Sequence, residues 1–191
     1  AFDLLAFHGY PLWDGRQHDW DYNFGPWSHR GGVVLGKADF LRSVLRQFGH
    51  HKPLILNEGG LLCWNAHPSC QSDFLDAQAN YVVRLYTRAW ANQLAGAIWY
   101  TLDGPGWNLG GLLDAHQQPK PAYHTLHFLA HQLAEAEYVG HIERSPQVEG
   151  YAFRKGTTTY WLYWTNDGAL SVLRSLPPNT RAVYSLSLIH I

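Results

Sequence analysis

Lys52-Pro53-Leu54-Ile55-Leu56-Asn57-Glu58-Gly59-Gly60 is the stretch from which the fold is read. Leu54 to Leu56 is a short apolar run, long enough for a buried strand, and it ends abruptly in a carboxylate and two glycines. A strand buried on both faces reads as a continuous hydrophobic run, as strands of parallel sheets do. In an α/β barrel the chemistry sits at the carboxyl ends of such strands, which is where Glu58 stands. Glu58 is therefore the first candidate catalytic residue. The competing reading is a helix-capping neighbour or a solvated loop charge, since charged side chains are mostly surface side chains.

The same pattern recurs on both sides. Phe2 to Phe7 is apolar except for Asp3 and leads into His8-Gly9-Tyr10-Pro11. Ala97 to Leu102 is a third strand, leading into the turn-rich Asp103-Gly104-Pro105-Gly106-Trp107-Asn108. Helices are predicted between them. In Lys37 to Phe48, the residues Phe40, Leu41, Val44, Leu45 and Phe48 recur at helical spacing, and Gly49 is placed to terminate the helix. A second helix runs from about Asp73 to Leu94, with Ser72 as a candidate cap and Gly96 as its stop. Asp73 and Asp76 suit the positive end of its dipole. Its inner face is Phe74, Gln78, Tyr81, Val82, Leu85 and Ala89. A third helix opens at Pro119-Lys120-Pro121 and runs to about Glu137, with Leu126, Leu129, Ala130 and Leu133 as its stripe. Alternating strands and helices predict parallel βα units. Residues 12–36 form a long irregular segment holding Trp13, Trp20 and Trp27, and loops of that length are commonly lids or binding loops. After Gly140 the pattern changes. Tyr151-Ala152-Phe153 and Thr157 to Thr165 read as antiparallel strands, with turns at Lys155-Gly156 and Asn166-Asp167-Gly168. A domain boundary is expected near 138–145.

With 191 residues and 46% hydrophobic content, the chain can form one domain or parts of two. A net charge of −1 gives no pull towards nucleic acid or an anionic membrane. No run approaches the roughly 18 apolar residues of a membrane span. Ala1-Phe2-Asp3-Leu4-Leu5 lacks the basic start and cleavage site of a signal peptide and reads like the middle of a strand, so the chain is expected to be a fragment. The tail, Ser185 to Ile191, stops without a finished element. The nine Trp fit either a bulky core or sugar binding, in which a flat ring packs on the apolar face of a pyranose. Cys63 and Cys70 either close a small disulfide loop, which would suit an oxidising extracellular or cell-surface setting, or remain free thiols. The chain has no CxxC, so no zinc ribbon is expected.

Three strand ends converge: His8 and Tyr10, Asn57 and Glu58, Trp99 and Tyr100. A carboxylate beside a phenol and an imidazole can be held ionised and aimed. A carboxylate nucleophile attacking an anomeric carbon needs that. A Trp at the next strand end can floor the sugar subsite. Trp64, Trp107 and Asn108 are candidates for outer contacts. Other groups read more plainly. Asp103 and Asp114 are further carboxylates near the expected mouth, read as loop caps and turn formers in preference to site residues because of the glycines near them. Asp14, Asp19 and Asp21 sit among Trp residues and could bind sugar hydroxyls, but a solvated loop is the preferred reading. His124, His127 and His131 fall on one helical face, a solvated face in preference to a metal site; the chain has no HExxH. Gly104-x-Gly106-x-x-x-Gly110 has the wrong spacing for a dinucleotide loop.

Phe2-Asp3 through His8-Gly9-Tyr10, the Pro53…Asn57-Glu58-Gly59 strand, Ile98-Trp99-Tyr100 and Gly111-Leu112-Leu113-Asp114…Lys120-Pro121-Ala122-Tyr123 together resemble retaining clan-A glycoside hydrolases, with families 39 and 5 nearest. The likeness is to their last three βα units and covers roughly residues 1–135. It implies an α/β fold: residues 1–138 as the C-terminal portion of a TIM (β/α)8 barrel, and 139–191 as a partial antiparallel β-sandwich domain. It implies that Glu58 is the nucleophile at the end of the seventh strand. It implies that Tyr10, closing the sixth, hydrogen-bonds Glu58 with His8 beside it, and that Trp99 stacks in the subsite of cleavage. The expected substrate-binding set is His8, Tyr10, Asn57, Trp64, Trp99, Tyr100 and Trp107, facing an oligo- or polysaccharide. No metal or organic cofactor is expected. The acid/base Glu of that clan ends the fourth strand and would lie upstream of Ala1. Retaining hydrolysis needs two carboxylates about 5–5.5 Å apart, so the fragment alone is expected to be inactive. The alternatives are a non-catalytic carbohydrate-binding module on a barrel scaffold and a different barrel enzyme with Glu58 as general base.

Overall fold

A computed structural model of the chain describes residues 2–16, 18–23, 25–64, 70, 72–144, 147–166 and 175–184. Strands β1 (Leu5–Gly9), β2 (Leu54–Gly59) and β3 (Gly96–Trp99) form a parallel sheet in that order. Helix α1 (Lys37–Gln47) joins β1 to β2, α2 (Ser72–Ala91) joins β2 to β3, and α3 (Pro121–Leu133) follows β3. Phe7, Leu54, Leu56 and Trp99 are buried in one cluster with Phe74, Tyr81 and Leu85 of α2. On the strands, Ala6, His8 and Ile98 are exposed. Gly59 is what lets α2 come close behind Glu58: a Cβ there would sit 2.8 Å from Leu56 Cδ2 and 3.1 Å from Leu85 Cδ1. The pairing register shifts between Phe7 and His8 and again between Leu56 and Gly59, at the level of Glu58. Such bulges re-aim side chains at strand ends.

Helix ends differ from the sequence reading in informative ways. Helix α1 does close at Gly49, whose φ of 72° is left-handed. Gly49 N–H then donates to Arg46 O at 3.0 Å and His50 N–H to Leu45 O at 2.9 Å. Its buried face is narrower than predicted: Ala38 and Leu45 are buried, whereas Phe40 and Phe48 are 41% and 74% exposed. Helix α2 stops at Ala91, short of Leu94, because Gln93 turns left-handed at φ 56°. Gly96 therefore opens β3, opposite Ile55, and is not the helix stop. The predicted inner face of α2 is buried throughout. Helix α3 ends at Leu133, with Glu135 left-handed at φ 64°. Its buried side is Ala122, Thr125, Leu129 and Leu133, and Ala130 is exposed.

The second sheet is antiparallel, in the order β4 (Glu137–Arg144), β5 (Val148–Lys155), β6 (Thr158–Thr165). Strand β4 is a correction to the sequence reading, which carried the helix to Glu137 and assigned no strand before Tyr151. The β5–β6 hairpin closes at Gly156, left-handed at φ 57°. Asp167 and Gly168 of the predicted following turn lie outside the described residues, as does the tail 185–191. The two sheets share a core: Tyr151, Phe153 and Leu162 belong to the same buried cluster as α2, and the Phe153 ring lies 5.2 Å from that of Trp90.

Residues 12–36 do not form an open loop. Leu12 bridges Leu62, and short helical turns occupy Trp20–Asn23, Gly25–Trp27 and Gly32–Gly36. Trp13 and Trp20 are core residues, 3% and 0% exposed. Asp19 and Asp21 are neither solvated nor free to bind sugar. Both are hydrogen-bonded to the buried guanidinium of Arg88 on α2, which also holds Glu149 of β5. Tyr81 Oη donates to Asp21 at 2.6 Å. Arg84 donates to the carbonyls of His18 at 2.8 Å and Thr165 at 2.9 Å. Asp14 pairs with Arg16 at 2.8 Å. Cys63 and Cys70 are disulfide-bonded. Among the described residues no helix is long and apolar enough to cross a membrane.

Candidate active site

The parallel pairing of β1 with β2 sets His8 opposite Glu58. Tyr10 follows two residues later and reaches back over the same strand end. Its hydroxyl donates to Glu58 Oε2 at 2.9 Å, and His8 Nδ1 lies 3.3 Å from that oxygen. The Glu58 side chain is 34% exposed and His8 53%. Among the described residues Glu58 Oε1 has no hydrogen-bond partner, and no Lys or Arg pairs with the carboxylate. Burial, then the hydrogen bond and charge of Glu58, then nearby Tyr100 push the Tyr10 hydroxyl far above its ordinary range. It therefore stays a donor at any working pH. Trp107 stands edge-on to Tyr10, ring centroids 5.7 Å apart, and His8 meets Tyr10 at 6.4 Å. His8, Tyr10, Glu58 and Trp107 thus form one contact cluster, with the exposed Tyr100 beside it.

Trp107 is 57% exposed yet stands on a firmly held turn. Four successive carbonyls there each receive a donor. Gly110 N–H reaches Trp107 O at 3.0 Å, and Cys63 N–H reaches Asn108 O at 2.9 Å. Gln78 Nε2 and Lys120 Nζ both donate to Leu109 O, at 3.1 and 3.0 Å. Trp99 Nε1 donates to Gly110 O at 2.8 Å. Asn108 and Leu109 are left-handed, at φ 47° and 60°, a conformation costly for residues with side chains unless the surroundings enforce it. Burial pushes the Lys120 amine down to about 8. The sequence reading gave Gln78 and Lys120 no part in the site. The available signal was a Gln on an otherwise apolar helical stripe. Lys37, also not singled out, donates from Nζ to the carbonyl of His8 at 3.0 Å and tethers the end of β1.

The remaining expected residues divide. Trp99 does not stack in the pocket: it is 6% exposed, packs against Tyr81 at 6.2 Å, and spends its indole N–H on Gly110. Tyr100, 44% exposed, takes the open position at that strand end. Asn57 is half-buried, with Oδ1 buried and unpartnered among the described residues. Trp64 is 56% exposed and no ring contact joins it to Tyr10 or Trp107, although Cys63 beside it is bonded to the Trp107 turn. Asp114 Oδ1 accepts from the N–H groups of His116 at 2.8 Å and Gln118 at 2.9 Å, a turn former. His127 stacks on Tyr123 at 6.5 Å, and no group of three or more metal-ligating side chains is found among the described residues.

The fold is one also found in a glycoside hydrolase. A solved structure of a family 39 glycoside hydrolase from the gut symbiont Bacteroides cellulosilyticus WH2 superposes with a TM-score of 0.63 at 20% identity. The match covers 92% of this chain and 36% of that one, so the chain spans about a third of that enzyme's length. No protein-family model matches the chain, and no curated protein matches it.

Proposed function

We propose that the chain is the nucleophile-bearing part of a retaining glycoside hydrolase, with β1–β3 and α1–α3 the C-terminal portion of a (β/α)8 barrel and β4–β6 the start of an appended sandwich. The observation that carries this reading is the anchoring of Glu58 through one oxygen only. Tyr10 and His8 both engage Oε2, which leaves Oε1 free to attack. The fold shared with a family 39 enzyme supports it, as does the parallel sheet's one exposed face, since parallel sheets are ordinarily covered on both.

In this mechanism Oε1 bonds to the anomeric carbon as the glycosidic C–O bond breaks, and the electron pair leaves with the aglycone oxygen. A second carboxyl group, from outside this chain, protonates that oxygen. The same group then deprotonates the water that cleaves the glycosyl ester. Tyr10 keeps Oε2 oriented and donates to it in every state. His8, Tyr100 and Trp107 face the sugar, Asn57 and Trp64 stand at its edge, and Trp99 supports the floor from beneath. Neither a metal nor an organic cofactor is invoked. The partner is a glycoside or polysaccharide. The Cys63–Cys70 bridge favours an oxidising, extracellular or cell-surface setting. The test is hydrolysis of aryl glycosides by the full-length protein. Glu58→Gln should abolish turnover and Tyr10→Phe should lower kcat by about tenfold to a hundredfold. Undiminished turnover by Glu58→Gln would overturn the assignment.

A further inference from the structure

A second concavity lies at the other end of β2. The last turns of α1 and the connection into β2 border an open surface cavity of about 180 Å³ lined by Arg42, Leu45, Arg46, His50, His51 and Lys52, of which Arg46, His50 and His51 are exposed. Five of these six side chains are basic, and none is acidic. The left-handed Gly49 makes the arrangement: it folds the chain back so that His50 to Lys52 run beside Arg42 and Arg46.

Cations near a helix C-terminus often serve its last carbonyls. Here the backbone already does that. Phe48 N–H takes Val44 O and Leu45 O, Gly49 N–H takes Arg46 O, and His50 N–H takes Leu45 O. Only Arg42 is committed elsewhere, to Asp39 at 3.3 Å and to the carbonyl of Asn92. Among the described residues the side chains of Arg46 and His51 have no hydrogen-bond or ion-pair partner. Those of His50 and Lys52 meet only the Phe2 ring, at 6.4 and 6.0 Å. A chain with 14 Lys and Arg against 15 Asp and Glu has carboxylates enough to pair them. Instead Arg42 and Arg46 stand one helical turn apart, a like-charge spacing that costs an isolated helix a few tenths of a kcal/mol. Arg46 and Lys52 are thus left without a carboxylate partner among the described residues, and unmatched charge of one sign lining a cleft concentrates counter-ions there.

We propose that this cavity binds a tetrahedral oxyanion, a phosphate or sulfate group, free or carried as an ester. The guanidinium of Arg46 offers a planar fork matched to two of its oxygens, and Lys52, His50, His51 and the buried Leu45 line the same cavity. Glu58 is at the opposite end of β2, roughly 15 Å away along the strand at about 3.3 Å per residue, so the two sites are independent.

The test is titration of the whole chain, at low ionic strength, with inorganic phosphate, inorganic sulfate and chloride in separate arms, read by the ring signals of His50 and His51. Saturable shifts with phosphate, sulfate or both are expected, absent with chloride; an anion that binds alone identifies the ester type. Arg46→Ala and Lys52→Ala, both with unchanged thermal midpoints, should each weaken binding by about tenfold. Glu58→Gln should leave it unchanged. Shifts that do not saturate, that chloride reproduces, or that survive both substitutions would overturn the site. His51→Ala provides the same reading should either variant prove unstable.

Discussion

Asp21, Glu149 and Glu58 each accept a hydrogen bond from a tyrosine hydroxyl, and Asp21 and Glu58 live in opposite circumstances. Asp21 takes Tyr81 Oη at 2.6 Å, is 2% exposed, and is matched by Arg88 at 2.8 Å. Glu58 takes Tyr10 Oη at 2.9 Å, is 34% exposed, and has no guanidinium or amine beside it. Burial pushes Asp21 up. Burial acts the same way on Asp19 and Glu149, but the charge and hydrogen bonds of Arg88 hold both below their ordinary values. A buried charge survives only when matched, whereas a reacting carboxylate needs an oxygen left unspent. The Arg88 cluster ties the 19–21 turn, α2 and β5 into one body; the Glu58 cluster keeps one face open.

The contrast can be broken most forcefully at Arg88. Arg88→Met strands three carboxylates, and urea unfolding should show a loss of about 3–5 kcal/mol. A loss under about 1 kcal/mol would mean the cluster is not scaffolding. Lys120 sharpens the comparison as a buried cation without a hydrogen-bonded carboxylate. Its folded value is about 8 against 10.5 for the free amine, so between about pH 8 and 10 the unfolded chain binds more protons. Stability should therefore rise with pH in that window, by up to about 2 kcal/mol, and Lys120→Met should remove the slope.

Asp19 and Glu149 give a pH dependence of the same direction, in the acid range. Their folded values lie below the ordinary 3.8 and 4.5, so their stabilisation is present above those values and is lost as pH falls through the lowered ones. Glu149→Gln should flatten the acid limb of a thermal-midpoint curve and cost about 1–3 kcal/mol at neutral pH. The smallest stability effect belongs to the residue with the largest chemical one: Glu58→Gln should change unfolding free energy by no more than about 0.5 kcal/mol. A larger loss would make Glu58 a structural group like Asp21.

Much of this was legible in the sequence, for identifiable reasons. Buried parallel strands and amphipathic helices announce themselves through apolar runs and period, so β1 to β3 and α1 to α3 could be placed. Strand β4 was hidden because α3 ends through Glu135, a left-handed residue that is not a glycine. Glu58, His8 and Tyr10 were readable as polar groups closing apolar strands. Trp99 and Tyr100 were not distinguishable, because a slip of one residue sends a side chain to the other face and the register shift after Leu56 has no sequence signature. The Arg88 cluster was invisible for a different reason. Its partners stand 61 to 69 residues away, and no local pattern links them.

The most direct test of the central claim is to trap the full-length protein with a fluorinated activated glycoside and map the labelled peptide. A glycosyl ester on Glu58, absent from Glu58→Gln, is the predicted result. A label on any other carboxylate, or a label undiminished in Glu58→Gln, would contradict it.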